Sequence, residues 1–230
     1  MEKTVVIIPA LNEERSIGQV IGDIPRDLVT EIVVVNNGST DSTASVASGC
    51  GATVIDEERR GYGQACLVGI DYIKNSPYPP DIVAFLDGDY SDYPGEMKTL
   101  ISPITEGGYD LVIGSRTIGE RQRGALLPQA LVGNYVATRL IKLFYGVSFT
   151  DLGPFRAIRY DKLLSLGMRD RTFGWTVEMQ VKAAKKGLRC TEVPVSYRKR
   201  IGTSKVTGTI TGSFMAGVKI IWVIFRQFFS

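Results

Sequence analysis

The chain has 230 residues, 44% hydrophobic and 22% charged, with a net charge of +3. That length suits one domain with its own core, the composition excludes wholesale disorder, and the charge is too small to call for a nucleic-acid partner. Histidine is absent, which excludes His-based triads, His-ligated zinc and imidazole acid–base chemistry.

Short β-branched runs alternate with amphipathic segments through the first half. Strands are expected at Thr4 to Ile8, Glu31 to Val35, Ala52 to Ile55, Asp81 to Leu86 and Tyr109 to Ile113. Most are nearly continuous in Val, Ile and Leu, as a sheet covered on both faces requires. The first helix is expected after an Asn12 N-cap, with Ile17, Val20, Ile21 and Ile24 at helical spacing before Pro25. Further helices fit Asp41 to Ser48, Tyr62 to Lys74 and Pro94 to Glu106. This order predicts a mostly parallel, doubly wound α/β sheet. After Gly114 the pattern loosens into a loop with Arg116, Arg121 and Arg123, helices at Pro128 to Tyr145 and Phe173 to Lys186, and a strand-like Arg189 to Tyr197. No internal repeat or linker is read, so a single domain is expected.

Cys50, Cys66 and Cys190 are odd in number and lack metal-ligand spacing, which fits a reduced, cytoplasmic setting. Val5 to Ile8 is too short for a leader, and no run of about twenty apolar residues predicts a membrane span.

Sheets of this kind bind ligands where their parallel strands end. Strand one runs into Pro9-Ala10-Leu11-Asn12-Glu13, strand two into Asn36-Asn37-Gly38-Ser39-Thr40-Asp41, and the fourth into Asp87-Gly88-Asp89. All three ends should share one crevice. An apolar strand ending in two carboxylates calls for solvent or a cation. Residues two apart share a side of an extended segment, and Gly88 lets the backbone bend towards a ligand. Such hard donors suit Mg²⁺ or Mn²⁺ bridging a diphosphate.

Taken in order, Ile8-Pro9-Ala10-Leu11-Asn12-Glu13-Glu14, Asn36 to Asp41, Asp87-Gly88-Asp89, Gly114-Ser115-Arg116 and Gly202-Thr203-Ser204-Lys205 resemble the family 2 inverting glycosyltransferases, and most closely their dolichyl- and polyprenyl-phosphate mannose or glucose synthase branch. The resemblance implies a glycosyltransferase A fold (a Rossmann-like doubly wound sheet), a nucleotide-sugar donor and a lipid-phosphate acceptor. It implies that Pro9, Ala10, Leu11 and Glu13 line the base and ribose pocket. Asp87 and Gly88 would meet the nucleotide, and Asp89 the metal. Asn36 and Asn37 stand where the family usually has acids that read the base, which leaves UDP and GDP both open. Arg116 matches the acceptor-phosphate arginine, and a guanidinium fork suits a phosphate. A second arginine often present in that branch has no counterpart, since Gln129 to Asn134 holds none. Arg200 and Lys205 would contact the diphosphate from a loop able to close over it. Glu178 sits where related enzymes place a carboxylate beneath the acceptor. With a hydroxyl acceptor it would be the base, and with a phosphate acceptor it would orient a cation or a sugar hydroxyl.

Residues 1–211 are expected to form the catalytic unit and 212–230 an amphipathic C-terminal helix. Its apolar residues Phe214, Val218, Ile221, Trp222 and Phe225 fit either peripheral contact with the cytosolic membrane face or packing on the core or a second subunit of a homo-oligomer. The leading expectation is metal-dependent hexose transfer from a UDP- or GDP-sugar to a polyprenyl phosphate. A hydroxyl acceptor is the alternative. A nucleotidyltransferase ranks lower, because Pro9 to Glu14 is not the Gly-rich, cationic loop that grips a triphosphate. A non-catalytic nucleotide-sugar binder ranks lower too, because the Asp87/Asp89 pair is intact.

Overall fold

A computed structural model describes residues 2–202 and 210–229, apart from the side chains of residues 210, 211, 213 and 214. The described residues form a seven-stranded sheet in the order β3-β2-β1-β4-β6-β5-β7. Its strands are β1 (Thr4–Ala10), β2 (Glu31–Asn36), β3 (Thr53–Asp56), β4 (Ile82–Phe85), β5 (Leu111–Ser115), β6 (Arg156–Arg159) and β7 (Cys190–Pro194). The Val and Ile run of β1 lies between β2 and β4, parallel to both, so its residues are buried on both faces.

Helices cover the sheet on each side. One layer contains α1 (Ile17–Asp23), α2 (Thr43–Gly49) and α4 (Met97–Thr105), packed on Val6, Ile8, Ile32 and Val34. The other contains α3 (Tyr62–Lys74), α5 (Pro128–Tyr145), α6 (Tyr160–Leu166), α7 (Trp175–Lys185) and α8 (Ile210–Phe228), packed on Val5, Ile7, Val33 and Phe85. Successive strand residues thus serve opposite layers, as the two-residue period demands. Pro128 opens α5, where a missing N–H is harmless, and Gly146 closes it with φ 73°.

The parallel, doubly wound expectation holds for six strands, while β6 runs antiparallel to both β4 and β5. Neither β6 nor α6 is foreseen from the sequence: Arg-Ala-Ile-Arg is short and bounded by charges, and α6 is only seven residues long. Asn12 is not an N-cap. The helix starts at Ile17 with Ser16 before it, and Asn12 has φ 53° in the turn after β1. The segment expected as a helix from Pro94 begins with a 3₁₀ turn, Pro94–Glu96, and becomes α-helical at Met97.

Gly61 joins the carboxyl edge of the sheet to the other helical layer. It has φ 151°, and a Cβ there would lie 2.2 Å from the carbonyl oxygen of Arg171. A backbone oxygen cannot swing aside as a side chain can. Gly61→Ala should therefore lower stability by about 1–3 kcal/mol, measured as a lower urea midpoint with an unchanged slope.

Candidate active site at the carboxyl edge of the sheet

The ends of β1 and β2 are laced together. Asn12 donates its backbone N–H to Ser39 Oγ (2.9 Å), and its side-chain oxygen accepts the Thr40 N–H (2.8 Å). Glu13 donates its backbone N–H to Thr43 Oγ1 (2.8 Å), and the Asn37 N–H reaches the Ala10 carbonyl (2.8 Å). Pro9, Ala10, Leu11 and Glu13 thus form one wall beside Asn36 and Asn37. The two asparagines differ. Asn37 is buried, accepts the Gly61 N–H (2.7 Å) and donates to the carbonyls of Glu57 (3.3 Å) and Arg59 (2.8 Å). Its amide holds the segment after β3. Asn36 is half-buried and donates to Asp56 Oδ1 (2.7 Å), so the free edge here is an Asn36–Asp56 pair.

Asp87, Gly88 and Asp89 follow β4 directly, opposite this wall. Asp87 Oδ1 is shut from solvent and has no hydrogen-bond partner among the described residues, and burial followed by the charge of Asp89 pushes its pKa up to about 6. Asp89 is buried, and its Oδ1 accepts the Ser91 N–H (2.8 Å). Its Oδ2 is ion-paired with the Arg200 guanidinium, which also approaches Glu13 Oε1 at 3.8 Å. An orphaned carboxylate oxygen beside a carboxylate that already holds a cation is a donor set that fits a hard divalent ion. Among the described residues no group of three or more His, Cys, Asp or Glu side chains could hold a metal alone, so phosphate and water oxygens would complete the shell.

The segment after β7 straps this loop down. The Arg198 N–H donates to Ser91 O and the Ile201 N–H to Asp89 O, both at 2.9 Å. The Arg198 guanidinium lies 3.3 Å from the ring centroid of Tyr90 and 4.1 Å from that of Tyr93, and its Nε donates to Tyr90 O (2.6 Å). Arg198 is thus a fastener, while Arg200 is the cation delivered to the carboxylates. Lys205 lies outside the described residues.

Arg116 stands at the end of β5. Asp151 takes its Nε (2.7 Å) and Nη2 (2.8 Å) bidentately and also accepts its backbone N–H (2.9 Å), while its guanidinium stacks 5.1 Å from the Tyr197 ring centroid. Burial alone would raise the Asp151 carboxyl, but Arg116 outweighs it and holds it below the usual range. Asp151 uses two of the guanidinium's N–H donors, leaving the others for a ligand. Asp151 is itself set by Arg156, a fully buried cation donating to the carbonyls of Leu152 (3.1 Å), Gly153 (3.0 Å from Nε) and Thr176 (2.9 Å). The loop from Asp151 to Arg156 therefore positions Arg116, and its Arg156 begins β6.

Beside Arg116 opens a cavity of about 360 Å³. Ala125, Leu126, Leu127, Ala130 and Leu131 form its apolar side, and Arg116, Lys199 and Arg200 its cationic side. Lys199 and Arg200 supply the further positive charge that Gln129 to Asn134 lacks.

Glu178, expected either as a base or as a group that orients a cation or a sugar hydroxyl, is turned to neighbouring backbone N–H groups and a lysine. It is 2% exposed, accepts the N–H groups of Arg169 (3.0 Å) and Asp170 (2.7 Å), and pairs with Lys182 (2.7 Å). A carboxylate so engaged holds a loop together. The sequence reading missed Asp92 and Tyr197, and it took Asp151 to Arg156 only as a loop able to shape a sugar pocket, without the pairing of Asp151 with Arg116. Asp151 and Tyr197 act across pairings too distant in sequence to read, whereas Asp92, three residues beyond Asp89, was in plain view.

Residues 5–166 match the family model described as glycosyl transferase family 2. An uncharacterised glycosyltransferase of Mycobacterium tuberculosis is 38% identical over 92% of this chain and 93% of its own. A dolichyl-phosphate hexose transferase of Haloferax volcanii is 31% identical over 96% and 94%, respectively, and an undecaprenyl-phosphate mannosyltransferase of Micrococcus luteus 27% over 94% and 92%. Among solved structures, the glucosyl-3-phosphoglycerate synthase of Mycobacterium tuberculosis, in complex with Mn²⁺, UDP-glucose and phosphoglyceric acid, superposes with a TM-score of 0.78 at 24% identity, covering 99% of this chain and 80% of that one. The chain belongs to the family 2 glycosyltransferases, is built on their glycosyltransferase A fold, and is similar to members of the polyprenyl-phosphate branch.

Proposed function

We propose that the enzyme transfers a hexose, with inversion, from a UDP- or GDP-sugar to a polyprenyl phosphate, aided by Mg²⁺ or Mn²⁺. The observation that carries this reading is the cavity beside Arg116, apolar along α5 and cationic at Arg116, Lys199 and Arg200. A hydroxyl acceptor of a glycan needs neither the apolar wall nor the cations. It would also need a base, and Glu178 is committed elsewhere.

In this reading the base and ribose lie against Pro9 to Glu13 and Asn36, with the diphosphate reaching Asp87 and Asp89. A divalent cation there would neutralise charge developing on the leaving diphosphate. Arg200 gives up Asp89 and turns to the diphosphate oxygens as the donor enters. Arg116, held rigid by Asp151 and Tyr197, orients the acceptor phosphate. That phosphate is already anionic, so an oxygen can attack the sugar's anomeric carbon without a strong base. The bond from that carbon to the phosphate oxygen forms as the bond to the diphosphate breaks, and the nucleoside diphosphate departs with the electron pair.

The reading extends to peripheral membrane contact. The outward face of α5 exposes Val132, Tyr135, Val136 and Leu143, and α8 beside it exposes Met215, Val218, Ile221, Trp222, Phe225 and Phe228. Phe144 of α5 stacks on Phe225 and Phe228, so the two helices present one apolar face. Lys219 and Arg226 flank Trp222 at 4.7 and 5.0 Å, the mix of aromatic and basic groups that suits an anionic interface. No helix among the described residues is long and apolar enough to cross a membrane.

Turnover of UDP- and GDP-hexoses against a short polyprenyl phosphate tests the assignment directly. Product should form with Mg²⁺ or Mn²⁺ and vanish with EDTA, and product with glycan acceptors alone would overturn it. Asp89→Asn should lower kcat at least about 100-fold with an unchanged melting temperature. Arg200→Ala should bind Mn²⁺ more tightly than wild type when no nucleotide is present, because Asp89 loses its resident cation, yet turn over more slowly. Paramagnetic resonance of free Mn²⁺ reads the first effect, and weaker Mn²⁺ binding would contradict the exchange. Glu178→Gln should lose about 1–3 kcal/mol of stability while keeping kcat within a few-fold when assayed below its melting range.

A further inference from the structure

Asp92 is a buried carboxylate that the transfer chemistry above does not use. It is 1% exposed, and neither carboxylate oxygen has a hydrogen-bond partner among the described residues. Its carbonyl accepts Arg198 Nη2 (3.2 Å), and its main chain bridges to Tyr197, whose ring lies beneath the Arg116 guanidinium. Asp92 therefore stands between Asp87 and Asp89, on the donor side, and Arg116 on the acceptor side. Burial and then the nearby charge of Asp87 push its pKa well above the usual carboxylate range.

A buried carboxyl group lacking a partner destabilises a fold, so a ligand that satisfies it is the natural compensation. The chemistry of the neighbouring ligands narrows the choice. The diphosphate and the acceptor phosphate bring acceptor oxygens and no donor for the two unpartnered Asp92 oxygens. The hexose must bridge the two, and it alone at that point brings O–H donors.

We propose that Asp92 hydrogen-bonds a hydroxyl of the transferred hexose and so helps select the sugar. This rests on the donor reading given above. The strap from Tyr197 to Ile201 lies over Asp92, and Arg200 belongs to that strap. Entry of the donor, which displaces Arg200 from Asp89, would open Asp92 in the same movement.

Calorimetry of the full chain with Mn²⁺ separates sugar from diphosphate recognition, using UDP, GDP, UDP-glucose and GDP-mannose as probes. Asp92→Asn should bind the nucleoside diphosphate as wild type does, within about twofold, and the nucleotide-hexose about 10- to 100-fold more weakly. Its melting temperature should equal or exceed that of wild type, because a buried unpaired carboxyl has been removed. Asp92→Ser, smaller and still polar, should show the same split and supplies the measurement if the asparagine variant folds poorly. Equal affinity of wild type and variants for the nucleotide-hexose would overturn the proposal. Proportional loss of both ligand classes would overturn it as well, moving Asp92 to the diphosphate site. Failure of wild type to bind any of the probes would instead overturn the donor reading and the proposal with it.

Discussion

Everything at the carboxyl edge of this sheet depends on how buried charge is balanced. Asp87, Asp89, Asp92 and Asp151 converge there, and a buried carboxylate is tolerated only when paired, hydrogen-bonded or protonated. Asp151 is paired in full by Arg116, and Asp89 by Arg200. The remaining two are not paired, and burial raises both Asp87 and Asp92. Among the described residues Arg116 and Arg200 are already committed to carboxylates, so further negative charge at Asp87 and Asp92 calls for a cation that arrives with the ligand. The two pairs also differ in kind. Arg116 is bidentate, backbone-anchored and stacked on Tyr197, which makes it a fixed element. Arg200 meets Asp89 from a loop and sits half-buried, which makes it the exchangeable one.

The antiparallel strand β6 gives this arrangement its rigidity. It inserts between β4, which leads to Asp87, and β5, which ends at Arg116. The chain entering β6 must then pass the end of β5, so Asp151 falls under Arg116. Arg156 holds that entry by donating to three carbonyls with no carboxylate against it. Removing its charge from water is unfavourable, and burial pulls its pKa down to about 10. The loop is held by a cation that has nowhere else to go, and Glu192 secures its other end by accepting the N–H groups of Thr150 (2.7 Å) and Asp151 (3.0 Å).

Those parts of the molecule governed by local pattern were legible in the sequence. β1, β2, α3 and α5 are long runs with one dominant period, and their positions follow from it. The edge residues Asp87, Asp89 and Arg116 were legible because a strand that ends in charge declares its end. What the sequence could not supply was pairing across distance. Asp151 meets Arg116 from 35 residues away, and Glu178 turns to the loop at Arg169 for reasons no spacing reveals. The hydrogen-bond partners of Asn37 were equally hidden, because they lie beyond β3. β6 escaped because a four-residue strand between charged ends carries almost no periodicity.

Helix α5 connects this charge arrangement to the surroundings. Its first turns wall the cavity through Ala130 and Leu131, while Val132, Tyr135 and Val136 on the same stretch face outward. An eighteen-residue helix is about 27 Å long, so one element joins the cationic end of the cavity to the exposed face that α8 extends. A lipid phosphate held at Arg116 could run its chain over Leu127 and Leu131 onto that face without crossing water. A water-soluble acceptor would gain nothing from the same path. The cavity and the exposed helical face, explained separately, would each be an unusual apolar exposure. In the proposed reading α5 joins them into a single route for one amphipathic acceptor, with the fixed guanidinium of Arg116 at its inner end.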